Sequence, residues 1–527
     1  MLPLRVKHSR AAISVLAPAV LLAVSFAAST PAQAQNVEPL PRPIVQPTQQ
    51  PDSTTSDGNI PNLTPPPVSE APRIGEYLTL DALLESSARH TPQILEALAD
   101  AQAANARITA AQGAFDLIFN AETYSYLSGF YGGQYLNATA VQPLTNNGGS
   151  IEVGYRNSQG RFPVYNDFFF TNQAGELKAR GVYALLRDNL IDDRRFGERN
   201  ARLNARVAEI ETNIVAIGVQ QRAIESYNNW VAAAQQLRIY RQLLKLANDR
   251  QSGLVRQVQL GAQADIILTE NQQNILRRQT LLVQAERNLQ QASNRLSLFW
   301  RDDDGRPLQP DPNLIPDDLP QIYSNGDETI EDVLARRPDI KIVETRLEQA
   351  RLRLQLDENL LRPRFDVFAE ASNDFGSIGA GGPSRDGFET IVGVRFSVPL
   401  QRREARGRIA ATQAEMEATR RARQQVAERV ENTINDIIID LRAAENLLQI
   451  ARDEERAANI MAAGERRLFR AGASDFFLVN LREEAAANAS IRRLQAEFNL
   501  AAARADLAAA SADFATLGLE SGIGILP

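Results

Sequence analysis

The chain has 527 residues and a formal net charge of −7, with 57 Lys plus Arg against 64 Asp plus Glu. Cysteine is absent and histidine occurs only at His8 and His90, which excludes disulfides, thiolate nucleophiles, Cys-ligated zinc and multi-His metal sites. The mildly acidic balance offers no basic face for a nucleic acid. We therefore expect a protein that is not an enzyme, with no catalytic residues, no cofactor, no metal ligands and no nucleic-acid partner.

The N-terminus is typical of an export signal. Basic residues precede a largely apolar stretch over residues 11–28, and Ala32-Gln33-Ala34 fits a small-x-small cleavage site. We predict a signal peptide over residues 1–34, cleaved near Ala34. Residues 35–76 are rich in proline and are expected to form an extended leader, because proline cannot occupy a helix interior.

Helical periodicity dominates the rest of the chain. Helices are predicted over residues 79–112, 188–252, 262–300, 330–361, 402–470 and 474–513. Apolar residues recur in steps of three and four along the two longest helices, as in a coiled-coil seam. The first seam runs through Leu203, Val207, Ile210, Ile214, Ile217, Ile224 and Val231. The second runs through Val430, Ile434, Ile437, Leu441, Ala444 and Leu448.

The same order of elements occurs twice, which predicts two internal repeats. We assign residues 77–300 to the first repeat, 301–328 to a Pro-rich connector, 329–513 to the second repeat and 514–527 to a C-terminal tail. At 1.5 Å per residue, each long helix spans roughly 100 Å, about the length of its two shorter partners stacked end to end. The lengths therefore predict that two short helices lie antiparallel to each long one.

Four runs of about 10 residues alternate between apolar and charged side chains, as strands with two different faces do. One interpretation is an amphipathic sheet that caps the helices, and the other is a transmembrane β-barrel. In the barrel, the lipid-facing residues are Phe115, Leu117, Phe119, Phe365, Val367, Val392, Val394 and Phe396. The lumen-facing residues are Asp116, Glu122, Lys178, Arg180, Asp366, Glu370 and Arg395. Four strands cannot close a barrel alone, so several chains would have to share it.

Residues 134–158 form an additional candidate hairpin around Asn146-Asn147-Gly148-Gly149, a strong turn signal. This hairpin either adds two strands to the barrel or lies outside it as an external loop. We favour the external loop because the alternation is weaker here than in the four runs.

From residue 77 to residue 513 the chain resembles the outer-membrane efflux proteins, the TolC-like channels. The opening segment Leu80-Asp81-Ala82-Leu83-Leu84 and the strand exit Ser397-Val398-Pro399-Leu400 carry this resemblance, together with the duplicated order of helices and strands. The resemblance implies a mixed α and β fold, in which a homotrimer shares a 12-stranded transmembrane β-barrel continuous with an antiparallel coiled-coil helical barrel in the periplasm. It also implies three partners besides the chain itself: outer-membrane lipid, a periplasmic adaptor protein, and an inner-membrane transporter reached through the adaptor.

Two helix turns fall where the family contacts its adaptor. The adaptor-contact residues implied by the resemblance are Leu260, Gly261, Ala262, Ala471, Gly472 and Ala473. Some relatives close the tunnel with acidic residues beyond the second turn, whereas Leu478 and Leu481 stand at those positions here. An apolar constriction of Phe476, Phe477 and Leu478, gating by dewetting, is one interpretation. Packing of the three side chains between helices, away from the lumen, is the other interpretation and the favoured one.

The expected function is a passive outer-membrane exit channel of a tripartite efflux pump or of a type I secretion system. The sequence does not separate these two systems. The competing interpretation is a soluble periplasmic coiled-coil structural protein whose sheet covers the end of the helices.

Overall fold

The computed structural model describes residues 77–162, 170–322, 329–379 and 386–519. The predicted signal peptide and Pro-rich leader lie outside the described residues, as do residues 323–328 of the connector and 520–527 of the tail. The helices are α1 Leu80–His90, α2 Pro92–Gln112, α3 Asp193–Gln259, α4 Ile266–Leu296, α5 Ile330–Arg336, α6 Pro338–Asn359, α7 Arg403–Arg470 and α8 Phe476–Ala510. The strands are β1 Ile118–Ser125, β2 Gln134–Pro143, β3 Ser150–Gln159, β4 Glu176–Ala184, β5 Arg364–Asp374 and β6 Phe388–Ser397.

The predicted helices at 79–112 and 330–361 are each broken in two. The breaks fall before Pro92 and Pro338, which are the first residues of α2 and α6. Proline has no backbone N–H to continue the preceding helix, and it disfavours helical backbone in the residue before it. Thr91 and Arg337 accordingly adopt extended ψ angles of 123° and 125°.

The helices form one layer. Helix α3 packs on one side against α2 and α4 and on the other side against α6 and α8, while α7 packs against α6 and α8. The short helices thus pair with the long ones as their lengths predicted. Within the described residues, no helix combines the length and the apolar character needed to cross a membrane.

The predicted apolar seams of α7 and α3 differ in how far their residues are buried. Val430, Ile434, Ala444 and Leu448 are buried in α7, as predicted. In α3, Ile224 and Val231 are buried as predicted, whereas Ile214 is 40% exposed, and small residues such as Ala216 and Ala223 are buried as well. Because α3 has neighbours on two sides, alanines at its close contacts are buried, and a search for large apolar residues misses them.

A buried ion cluster joins α3, α4 and α8. The Glu483 carboxylate accepts hydrogen bonds from Arg250 at 2.5 Å and from Arg278 at 3.2 Å, and all three side chains are shielded from solvent. Asn480 accepts from Arg250 at 2.7 Å, and Arg278 also donates to the Leu243 carbonyl at 2.7 Å. Burial lowers the pKa of the Arg278 guanidinium from its ordinary value, and Glu483 acts against that shift.

We expect Glu483→Ala to lower the free energy of unfolding by about 3–5 kcal/mol, because it leaves two buried guanidinium groups without their counter-charge. The measurement is the Tm of the purified protein in detergent. Glu484→Ala is the matched control, since Glu484 pairs with the exposed side chain of Arg277 and such a pair contributes about 1 kcal/mol at most. Equal Tm changes for the two variants would contradict the assignment.

Candidate functional site

The six strands form one antiparallel sheet in which each strand pairs with its neighbours in sequence, in the order β1-β2-β3-β4-β5-β6. Residues directly opposite in the register lie on the same face, as Glu122, Asn137 and Arg156 do across β1, β2 and β3. Because successive side chains alternate, the register divides the sheet into two faces of different chemistry.

One face, here called the apolar face, is exposed in the single chain. Val392 is 71% exposed and Phe119 is 70% exposed, which is far more than large apolar side chains show in a core. Six of the eight residues predicted to face lipid lie on it: Phe119, Phe365, Val367, Val392, Val394 and Phe396. A contiguous exposed surface of this kind indicates a partner or a membrane.

The opposite face, here called the charged face, carries ion pairs across the strands. Glu370 lies 3.7 Å from Lys178 and 3.8 Å from Arg180, and Arg156 pairs with Glu176 on the neighbouring strand. Six of the seven residues predicted to face the lumen lie on this face: Glu122, Lys178, Arg180, Asp366, Glu370 and Arg395. Asp366 is buried, and its carboxylate accepts a hydrogen bond from Arg364 at 2.7 Å.

Three of the predicted wall residues lie outside the strands. Phe115 ends a 3-10 turn over Gly113–Phe115, and the Asp116 N–H donates to the Gly113 carbonyl at 3.1 Å. Leu117 follows this turn and precedes β1. The prediction began the strand three residues too early, because the alternation of Phe115, Leu117 and Phe119 continues through a helical turn that the pattern does not reveal.

Residues 134–158 were expected to form an external loop hairpin, and this expectation is wrong. They form β2 and β3, which lie between β1 and β4 in the sheet and pair with each other over ten residue pairs. The alternation was weak because β2 uses small and uncharged polar residues, such as Ala138, Thr139 and Ala140, where the other strands carry large apolar and charged ones.

The turn between β2 and β3 is fixed to the end of β4. The Asn147 side-chain amide donates to the Ala184 carbonyl at 2.8 Å, and the Ala184 N–H donates back to Asn147 Oδ1 at 2.8 Å. The Gly148 N–H donates to the Asp188 carbonyl at 2.8 Å. A Cβ at Gly149 would lie 1.9 Å from the carbonyl oxygen of Val182, so only glycine fits there.

Arg195, in the first turn of α3, completes this junction between the sheet and the helices. It is 6% exposed and donates to the Asp192 carboxylate and to the carbonyls of Asn146, Asp188 and Asn189 at 2.6–3.1 Å. Arg195 was not among the residues predicted from the sequence. Its signal is an Asp-x-x-Arg start, in which Asp192 caps the helix by accepting from the Arg195 N–H at 3.0 Å.

The two helix turns predicted to contact an adaptor, here called the tip turns, have the same backbone geometry. Gly261 and Gly472 have φ angles of 70° and 74°, in the left-handed region that glycine tolerates. The N–H of Ala262 donates to the Gln257 carbonyl, and that of Ala473 to the Leu468 carbonyl, both at 2.9 Å, as in a Schellman motif. All six predicted tip residues are exposed, and Leu260 is 76% exposed.

The three residues of the predicted apolar constriction are separated by the structure. Phe476 is buried against Leu254 and Ile267, between α8 and the α3–α4 pair, and therefore cannot line an open passage. Phe477 is 72% exposed and Leu478 is half-buried. Phe476 was assigned wrongly because neighbouring residues on a helix point about 100° apart, which a run of apolar letters does not show.

Residues 329–513 match the family described as outer membrane efflux protein. No curated protein is similar enough in sequence to count as a match. The outer-membrane channel OprN has a similar fold, with a TM-score of 0.59 and 16% identity over 82% of this chain and 89% of that chain. The open state of the MtrE channel of Neisseria gonorrhoeae gives 0.59 and 14%, over 83% and 90%.

VceC, an outer membrane protein of Vibrio cholerae, gives a TM-score of 0.58 and 15% identity over 82% of this chain and 95% of that chain. At such low identities the solved structures show a similar fold only. The sequence similarity is shown by the family match over residues 329–513. Residues 329–513 thus match the outer membrane efflux protein family, and the fold of the chain is similar to those of the solved outer-membrane channels.

Proposed function

We propose that this chain is a passive outer-membrane exit channel, with the sheet in the membrane and the helices in the periplasm after removal of the signal peptide at residues 1–34. The observation that carries the proposal is the two-faced sheet. Its apolar face suits contact with lipid tails, and its charged face suits a water-filled lumen. Members of this family transport solutes and do not catalyse reactions on them.

The edges of the two layers support assembly from several copies. Within the described residues, β1 and β6 each pair with one strand only, and the helix layer ends at α7 on one side and at α2 and α4 on the other. A sheet in a membrane cannot leave its edge N–H and C=O groups unpaired, so it has to close into a barrel. Copies of this chain supply the missing strands, and the family resemblance favours three.

The tip turns support an adaptor as the periplasmic partner. Each tip ends in exposed small residues, and exposed apolar side chains surround them, among them Leu260, Ile266 and Phe477. Apolar groups presented on rigid helix ends are suitable anchors for a protein partner. The adaptor would link the channel to an inner-membrane transporter that supplies the energy, in a tripartite efflux pump or in a type I secretion system. Phe477 and Leu478 are the residues left for an apolar constriction.

We expect Val394→Arg to disrupt assembly, because an arginine on the lipid face costs about 2–4 kcal/mol near the middle of the membrane. The measurement is the amount of native oligomer extracted from outer membranes by detergent, with its mass determined. Ile391→Arg is the matched control. Ile391 lies on the charged face of the same strand, directly opposite Glu370, where a new arginine gains a counter-charge.

Normal assembly of both variants would count against a membrane location for the sheet. A wild-type protein released into buffer by osmotic shock, as a monomer or dimer, would overturn the channel and favour the periplasmic coiled-coil protein instead.

We expect Leu260→Glu to reduce export about tenfold, the effect of losing about 1.4 kcal/mol of docking energy, while the oligomer in the membrane stays intact. The measurement is recovery of the export function lost on deletion of the gene, with the oligomer quantified in the same cells. Leu260→Met keeps the apolar surface and serves as the control. Full recovery of export by Leu260→Glu would remove this tip turn from the adaptor contact.

A further inference from the structure

We propose that β2 and β3 are part of the membrane wall, so that each copy contributes six strands and β6 of one copy pairs with β1 of the next. Three copies then close a barrel of eighteen strands, where the family resemblance implies twelve. This inference rests on the proposed channel function and specifies the surface through which copies of the chain join.

The hairpin has the length and the two-faced chemistry of a membrane-spanning pair of strands. β2 and β3 have ten residues each, about the length needed to cross a bilayer at a tilt. Their outward side chains continue the apolar face of the sheet: Leu136, Ala138, Ala140, Ile151, Val153 and Tyr155. Those on the opposite side continue the charged face with Asn137, Thr139, Glu152 and Arg156. Ile151 and Val153 are as openly exposed as a lipid-facing residue would be in a single chain.

The hairpin turn lies beside the junction between the sheet and the helices. Asn147 and Gly148 are hydrogen-bonded to the end of β4 and to Asp188, next to the first turn of α3. The turn therefore lies at the helix end of the sheet, and β2 and β3 extend from there to the opposite end, as β1 and β4 do. An external loop would project from the opposite end and would make no contact with this junction.

The directions of the edge strands β1 and β6 allow copies of the chain to join. In an antiparallel meander of six strands, β1 and β6 run in opposite directions. β6 of one copy can therefore join β1 of the next as a further antiparallel pair, with the apolar face continuous from Val392 and Val394 to Phe119 and Ala121. Closed membrane barrels with an even number of antiparallel strands have this arrangement.

The width of the six-stranded sheet matches the width of the helix layer in the same chain. Six strands about 4.8 Å apart and tilted by about 40° occupy about 38 Å of circumference. The helix layer of one chain is four helices wide, which at about 8–10 Å per helix is about 32–40 Å. The sheet and the helix layer of one chain therefore occupy about the same length of the barrel circumference. Four strands would occupy only about 25 Å, which is less than the width of the helix layer. At equal tilt, eighteen strands give about one and a half times the circumference of twelve.

The test uses the absence of cysteine in the chain, which makes single engineered thiols unambiguous. Val153→Cys and Val394→Cys place a thiol on the apolar face, in β3 and in β6, and Glu152→Cys places one on the charged face. The full chain is reconstituted in phosphatidylcholine vesicles and treated with a charged, membrane-impermeant maleimide. We expect both valine variants to stay unlabelled until detergent is added, and the Glu152→Cys variant to be labelled from the water-filled lumen.

The outcomes separate this inference from the proposed function. Rapid labelling of Val153→Cys with protection of Val394→Cys would overturn the six-stranded wall and leave the channel standing. Rapid labelling of both variants would overturn the channel as well. Protection of Glu152→Cys, with labelling of Val153→Cys, would reverse the two faces in β3 and overturn the inference.

The joint between copies is tested by a second cysteine series. Ala121→Cys in β1 is combined in turn with Thr390→Cys, Val392→Cys and Val394→Cys in β6, which samples three registers on the same face. We expect one pairing to give disulfide-linked trimers on oxidation. Linked dimers with no trimer in any register would overturn the eighteen-stranded closure, since two copies supply twelve strands. The paired control Thr123→Cys with Leu136→Cys, directly opposite in β1 and β2, crosslinks within one chain.

Discussion

The hydrogen bonds of Arg195 join the sheet to the start of α3, and the arrangement of the sheet and the helices depends on this junction. One buried guanidinium group donates to the helix-capping Asp192 and to carbonyls from the β2–β3 turn and from the segment after β4. Asn359, at the end of α6, adds a second link, because its side chain accepts from the Asp188 N–H at 3.0 Å. Both repeats are thereby fixed to the same point, and this junction sets the direction in which the sheet leaves the helices.

Two layers with open edges follow from that arrangement. A helix layer four helices wide and a sheet six strands wide start from one junction, and neither closes on itself within one chain. The helices leave apolar side chains exposed along α7, such as Ile450 and Ile460, and the sheet leaves a whole apolar face exposed. These open edges and exposed apolar surfaces agree with the channel that we propose, in which other copies of the chain and lipid would cover them.

Long helices with a repeating apolar pattern could be predicted from the sequence. Features that depend on a few contacts between distant residues could not. The ends of α7 agree with the prediction to within one residue, and Val430, Ile434, Ala444 and Leu448 of its predicted apolar seam are buried. The breaks at Pro92 and Pro338 fall at prolines that are visible in the sequence, although the helix bounds predicted over 79–112 and 330–361 ran through them. The β2–β3 hairpin was misplaced because β2 carries no charged residue. The buried ion cluster around Glu483 was not predicted, although Arg278 lies in the buried stripe of α4 between Ile275 and Ala285, a position where a charge requires a buried partner. Such partners come from distant helices and leave no local pattern.

The hairpin also shows how a repeat can be widened without disturbing its other half. Adding one strand to an antiparallel meander reverses the direction of everything that follows it, whereas adding two restores that direction. The first half of this chain has four strands and the second has two, yet β4 and β6 both deliver the chain into a long helix at the same end of the sheet. Strand number in this architecture can therefore change only in pairs. A homologous pore could be enlarged by inserting a hairpin at a strand turn while its helices, tips and junction stay in place.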